Sequence, residues 1–211
     1  MRRFKQAVRS IAEPLALLLV QRGVSANAIT VGAFILNVLV GAAVAVGLLA
    51  PAGLLYLFFS PLDFLDGAVA RLSGRAGAFG AFLDSLLDRA SEAAVLLGTV
   101  YWYASQQQPK LAVLAAAALV GSFLVSYARA RAEGLGYDCE VGWLQRPERI
   151  ILLAAGLIAS GLHPAALPIV LAVLALVTAL TTFQRSVHVA RQVRLAPARQ
   201  GENDASTGRP A

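Results

Sequence analysis

Four aspartates, Asp63, Asp66, Asp84 and Asp88, stand in apolar surroundings at helical spacing. In Asp63-Phe64-Leu65-Asp66-Gly67-Ala68-Val69-Ala70-Arg71, positions 63, 66, 67, 70 and 71 are i, i+3, i+4, i+7 and i+8. They form one helical face with two carboxylates, two small residues and one cation. Gly80, Asp84 and Asp88 step by four along the next apolar stretch and share a face as well. At about 1.5 Å per residue, Asp66 and Asp63 lie roughly 7 and 12 Å from Arg71, and Asp84 and Asp88 roughly 6 and 12 Å from Gly80. Two antiparallel helices would therefore bring Asp66 level with Asp84 and Asp63 level with Asp88. A carboxylate inside a membrane span is costly and marks function by default. One alone is as readily a helix cap or an arginine partner, but four on matching faces are not. With Arg71 and Arg89 as the only nearby cations, the four would repel unless cations bridge them. Oxygen-only donors select hard ions, so Mg²⁺ is expected, with Mn²⁺ as the alternative and two ions as the number.

The elements that must position these residues are legible from composition. Of 211 residues, 58% are apolar and 14% charged, well below the quarter expected of a soluble domain. Six apolar stretches, about 26–49, 54–71, 77–104, 110–132, 147–161 and 165–185, read as membrane spans. Pro51-Ala52-Gly53, Pro109 and His163-Pro164 punctuate the turns. Before the first span, Phe4, Val8, Ile11, Leu15 and Leu18 recur at helical spacing with Arg2, Lys5 and Arg9 on another face, which predicts an amphipathic helix over 1–23 lying in the headgroup layer. The polar residues 197–211 read as a disordered tail, leaving a six-span domain over 24–196.

Orientation follows from the cations. Arg2, Arg3, Lys5, Arg9 and Arg22 precede the first span, Arg71 and Arg75 follow the second, and Arg129, Arg131, Arg146 and Arg149 border the connection from the fourth to the fifth. Arg185, Arg191, Arg194, Arg199 and Arg209 end the chain, and only Lys110 falls on the opposite side. The positive-inside rule puts both termini in the cytoplasm, as an even number of spans requires. The net charge of +6 then faces membrane lipids, and no nucleic acid is expected. One cysteine, Cys139, excludes an intramolecular disulfide framework, and two distant histidines exclude a histidine-clustered metal site. The expectation is an all-α, multi-pass protein of the cell membrane.

The stretch from Asp63 to Asp88 reads D-x2-D-G-x2-A-R-x8-G-x3-D-x3-D. This resembles the signature of the CDP-alcohol phosphatidyltransferases, six-span membrane enzymes in which a CDP-linked lipid donates its phosphatidyl group to an alcohol and CMP is released. The resemblance implies that Asp63, Asp66 and Asp84 are metal ligands, and that Asp88 is both a ligand and the base for the acceptor hydroxyl. It also implies that Gly67, Arg71 and Gly77 contact the cytidine diphosphate, as do Asn27 and Thr30 of the similar segment opening span one. A homodimer is usual for the family.

For the acceptor, Ser126-Tyr127-Ala128-Arg129-Ala130-Arg131-Ala132-Glu133 and Arg146-Pro147-Glu148-Arg149 resemble segments of bacterial phosphatidylinositol-phosphate synthases. The resemblance implies transfer from CDP-diacylglycerol to a phosphorylated alcohol, inositol 1-phosphate, held by Ser126, Arg129, Arg146, Arg149 and Arg185, on the cytoplasmic face. Arg149 and Arg185 are expected at the mouth of the site. Arg129 stands where Lys is usual, and Gln145 where an acidic residue is common. The alternative acceptor is glycerol 3-phosphate, as in phosphatidylglycerophosphate synthases. From another class, the alternative is a divalent-cation transporter using the same four aspartates.

Overall fold

The computed structural model describes residues 14–74 and 76–207, with side chains described through 195 except at Asp63. Arg75, the terminal residues 208–211 and the stretch 1–13, with most of the expected amphipathic stripe, lie outside the described residues. Within them every element is helical. Helical residues 14–21 come first, then α1 (Ala26–Ala45), α2 (Leu49–Phe59), a 3-10 turn (Ser60–Leu62), α3 (Asp63–Leu72), α4 (Ala78–Ser105), α5 (Pro109–Glu133), α6 (Arg146–Ala159) and α7 (Ala166–Thr207).

Among the described residues, four stretches are long and apolar enough to cross a membrane: Ala26–Ala45, Leu49–Leu72, Pro109–Glu133 and Ala166–Leu195. The protein is an integral membrane protein. The third and fifth expected spans do not meet that measure, for two different reasons. Helix α4 has the length, 28 residues, but carries Asp84, Asp88, Arg89 and Glu92. Helix α6 has only 14 residues, or about 21 Å at 1.5 Å per residue, short of a bilayer's roughly 30 Å hydrocarbon core.

Two turns differ from the sequence reading. Pro51-Ala52-Gly53 lies inside α2; the chain reverses earlier, at 46–48, where Gly47 takes φ +89°. Pro51 is tolerated because the first helical turn has no intrahelical use for its N–H. The expected second span is instead interrupted at Ser60–Leu62, where Pro61 removes a backbone donor. At the other end, α7 continues through Pro197 to Thr207, in place of a disordered tail from 197. Ala198, Arg199, Gln200 and Glu202 are good helix formers that prolong an already nucleated helix.

Glycine contacts give the packing directions. A Cβ at Gly80 would meet Asn27 Oδ1 at 3.5 Å, and one at Gly98 would fall 2.1 Å from the Gly41 carbonyl oxygen. Contacts thus climb α1 and α4 together, so the two helices run parallel and touch backbone to backbone, as small-residue membrane interfaces do. Gly53 approaches the Ala154 carbonyl and Leu157, while Gly161 approaches Ala50, so α2 and α6 are antiparallel. Gly121 lies against Thr178, joining α5 to α7. Between these contacts Tyr56, Leu96, Leu153, Leu157, Leu167 and Leu171 are fully enclosed.

The α1–α4 contact leaves no room for a side chain. Gly98→Val is expected to lower the thermal midpoint of the detergent-solubilised protein markedly, since overpacking costs about 1–3 kcal/mol even where side chains can yield. Gly32→Ala, whose new methyl group would meet nothing within 4 Å, should leave it in place. Thermal denaturation followed by size-exclusion chromatography makes the comparison, and equal midpoints would mean the two helices separate freely.

Candidate active site

Three elements converge at the charged end of the bundle. Ser25 caps α1, its side chain accepting from the Ala28 amide at 3.2 Å, as a serine at this position does. That start places Asn27 and Thr30 in the first turns, on one side of the helix. Thr30 is 5% exposed, and its hydroxyl donates to Asp66 Oδ2 at 2.7 Å. Asn27 reaches Gly80, one turn before Asp84. Helix α1 therefore bridges the two helices that bear the aspartates, touching α3 at Asp66 and α4 at Gly80.

Asp63 is the first residue of α3, immediately after the 3-10 turn, and Asp66 follows one turn later, itself 5% exposed. Asp84 and Asp88 are half-buried on α4. Arg71 is exposed, and its guanidinium folds back over Gly67, where a Cβ would meet Nη1 at 3.4 Å. Gly77 precedes α4 in extended backbone with open space around it. A cleft of about 470 Å³ lies between the start of α1 and the end of α3, lined by Val20, Val24, Asn27, Leu72 and Ser73 among others. Among the described residues no three acidic, His or Cys side chains form a metal-holding group; the side chain of Asp63 is outside them. The donor chemistry of Asp66, Asp84 and Asp88 is oxygen-only, which suits a hard divalent cation.

The arginines sort into two kinds. Arg146, with its side chain 24% exposed, pairs through Nη1 with Asp88 Oδ2 at 2.6 Å. Arg129 is also accessible, bonded to Glu133 at 2.7 Å and Glu140 at 3.3 Å, with Ser126 half-buried nearly one turn before it. Arg149 and Arg185, expected at the mouth of the site, are enclosed instead. Arg149 is 2% exposed, with Nε and Nη2 each 2.7 Å from a Glu92 carboxylate oxygen and Nη1 facing the Leu144 carbonyl. Arg185 is 3% exposed and donates to the backbone carbonyls of Val141, at 2.8 Å, and Val125. The physical reason is that a buried guanidinium must find acceptors, and here the protein supplies them itself. Cys139 is fully buried, which pushes its thiol up and makes it a poor nucleophile.

Glu92 is the residue that motif reasoning passes over. It lies four positions after Asp88, hence on nearly the same face of α4, and it is 5% exposed. An acidic residue in an apolar stretch is itself the signal.

The family profile described as CDP-alcohol phosphatidyltransferase matches residues 23–196. The chain belongs to this family. This phosphatidyltransferase is 37% identical over 188 residues to the phosphatidylinositol phosphate synthase of Mycobacterium marinum, covering 86% of this chain and 80% of that one. It is 36% identical over 193 residues to the archaetidylinositol phosphate synthase of Methanothermobacter thermautotrophicus, covering 90% and 94%. The phosphatidyltransferase fold is also similar to the crystal structure of Mycobacterium tuberculosis phosphatidylinositol phosphate synthase with CDP-DAG bound, at a TM-score of 0.81, 32% identity and coverage of 85% and 94%. The same enzyme in complex with manganese and citrate gives a TM-score of 0.80 at 32% identity, covering 84% and 88%. Membership of an enzyme family displaces the transporter alternative: the chain is a CDP-alcohol phosphatidyltransferase.

Proposed function

We propose that the enzyme transfers the phosphatidyl group of CDP-diacylglycerol to inositol 1-phosphate, giving phosphatidylinositol phosphate and CMP. The observation that carries this reading is the 2.6 Å ion pair between Arg146 and Asp88. A cation able to hold a phosphate stands directly against the carboxylate that takes the proton. An acceptor engaging Arg146 through its phosphate presents its hydroxyl next to Asp88, and an uncharged alcohol lacks that handle. The names of the similar synthases support inositol phosphate among phosphorylated alcohols.

Asp63, Asp66, Asp84 and Asp88 would hold Mg²⁺, or Mn²⁺, as two ions; manganese in the related crystal structure supports divalent metal use. When bound, such ions offset the charge of the pyrophosphate and of the departing CMP. Thr30 orients Asp66 by its hydrogen bond. Asn27, Gly67, Arg71 and Gly77 border the nucleotide, and the bare backbone at Gly67 and Gly77 admits it closely. Asp88 accepts the proton of the acceptor hydroxyl as that oxygen attacks the lipid-side phosphorus and the bond to CMP breaks. Ser126, Arg129, Arg146, Arg149 and Arg185 would hold the acceptor phosphate, the last two from the enclosed side of the pocket.

The same proposal includes six spans, with α4 and α6 crossing alongside the four more apolar stretches, and both termini and the active site in the cytoplasm of a cell membrane protein. The parallel run of α1 with α4 and the placement of the arginines support it. An interfacial N-terminal helix, of which residues 14–21 pack Ala16 against Ala68 and Val69, and a homodimer complete the picture.

Purified protein with CDP-diacylglycerol and Mg²⁺, offered inositol 1-phosphate, glycerol 3-phosphate, inositol or serine, tests the acceptor by CMP release. A charge-assisted contact contributes about 1.5–3 kcal/mol, so inositol 1-phosphate should outperform inositol by roughly ten- to a hundredfold. Equal use of plain inositol removes the phosphate pocket, and preference for glycerol 3-phosphate moves the enzyme to the alternative acceptor.

A further inference from the structure

The connection from α5 to α6 is laid along α7 by its main chain. Gln192 donates to the Asp138 carbonyl at 2.6 Å, and Arg185 Nε donates to the Val141 carbonyl at 2.8 Å. Between these two contacts Cys139 is fully buried. Gly142 follows at φ +130°, so close to α7 that a Cβ would fall 2.5 Å from Thr181 Cγ2. Only glycine suits that backbone and that space. The chain is therefore fixed to α7 on both sides of residue 140. Glu140, in the middle of this run, reaches across to α5 instead, with Oε1 3.3 Å from Arg129 Nη2.

Arg129 holds its two carboxylates differently. Nε is 2.7 Å from Glu133, one turn further along the same helix. Glu140 sits at Nη2, on the tip of the guanidinium, and brings it the same kind of anionic oxygen that a phosphate brings. The side chains of Arg129 and Glu140 are 38% and 74% exposed, and an ion pair that open holds only weakly. Because the backbone is held by α7, rotation of the Glu140 side chain alone releases Arg129, and the loop need not move.

We infer that Glu140 is a specificity-determining residue of the acceptor site: its carboxylate occupies Arg129 in the place of the acceptor's phosphate and yields only to an anion of higher charge. This rests on the acceptor reading above and deepens it. A phosphate monoester at neutral pH carries more than one negative charge and three strong acceptor oxygens, so it displaces Glu140. A free carboxylate meets an equal already in place and stays out. The consequence is a somewhat weaker hold on the true acceptor.

The test is steady-state CMP release by the full-length protein, with CDP-diacylglycerol and the acceptor titrated separately. Potassium acetate, exchanged for potassium chloride at constant ionic strength, is the probe for a weaker anion. The acceptor is whichever compound the parent protein uses best. If that is plain inositol, the acceptor reading falls and the inference with it; a phosphorylated acceptor with unresponsive variants removes the inference alone. Glu140→Gln should lower the acceptor KM roughly two- to fivefold, the range an exposed ion pair can contribute, with kcat and the KM for CDP-diacylglycerol within about 1.5-fold of the parent. Acetate should compete with the acceptor in this variant at concentrations that leave the parent unaffected. Asp138→Asn removes the same charge from the same loop, but the ion pairs of Arg129 are with Glu133 and Glu140, so this variant should match the parent in both measurements. An acceptor KM that is unchanged or raised in Glu140→Gln would overturn the inference. So would equal effects of the two substitutions, which would leave Glu140 a mere part of the loop's general charge, or acetate inhibition that is the same in parent and variant.

Discussion

Asp66→Asn is expected to abolish metal-dependent CMP release, by a factor of a hundred or more, while the protein still folds. Asp66 is 5% exposed and takes a 2.7 Å hydrogen bond from Thr30. An amide oxygen can accept that same bond, so the α1–α3 contact survives the substitution. What disappears is one anionic oxygen of a donor set suited to a hard ion, and hard divalent ions depend on carboxylate charge for affinity. Removing a buried negative charge also relieves desolvation, so the metal-free variant should melt no lower than the parent. The checks are CMP release across a Mg²⁺ titration and thermal denaturation without added metal. Near-parental turnover at low Mg²⁺ would remove Asp66 from the metal site.

The second large effect is expected at Asp88. Asp88→Asn should suppress turnover by about 10²–10⁴-fold, the usual contribution of a positioned general base, because an amide cannot take the acceptor's proton at neutral pH. Binding of CDP-diacylglycerol should persist, since the base acts on the other substrate. Arg146 is then released from its carboxylate and becomes more available to phosphate, so acceptor binding should tighten rather than weaken. Equilibrium binding of each substrate beside single-turnover CMP release separates these expectations. Loss of nucleotide-lipid binding together with turnover would make Asp88 chiefly a metal ligand.

Local periodicity carried most of what could be read in advance. The face from Asp63 to Arg71 follows from helix geometry, and α3 opens at Asp63 and runs past Arg71. Pairings across long sequence separation are a different matter. Nothing in the spacing of Arg146 and Arg149 tells which of them turns inward. That is decided by Glu92, 57 residues away from its partner, and by α6 starting at Arg146. The same limit hid the fate of Arg185, whose acceptors are main-chain carbonyls that no side-chain pattern reveals. Proline positions were ambiguous because a proline in a first helical turn and a proline that interrupts a helix are the same letter: Pro51 is the former and Pro61 the latter.

The contact between Gly41 and Gly98 has a bearing on how such an enzyme can change. It welds α1 to α4 main chain to main chain, and those two helices carry Asn27, Thr30, Asp84 and Asp88. The helix that carries Arg146, by contrast, is tied to α4 at the charged end by side-chain ion pairs. Variation on α6 can therefore proceed without disturbing the half that handles the nucleotide-linked lipid. A lineage of such enzymes could diversify in the alcohol it consumes while inheriting its donor chemistry intact, and an engineer seeking a new headgroup would do best to leave α1 and α4 untouched and redesign α6.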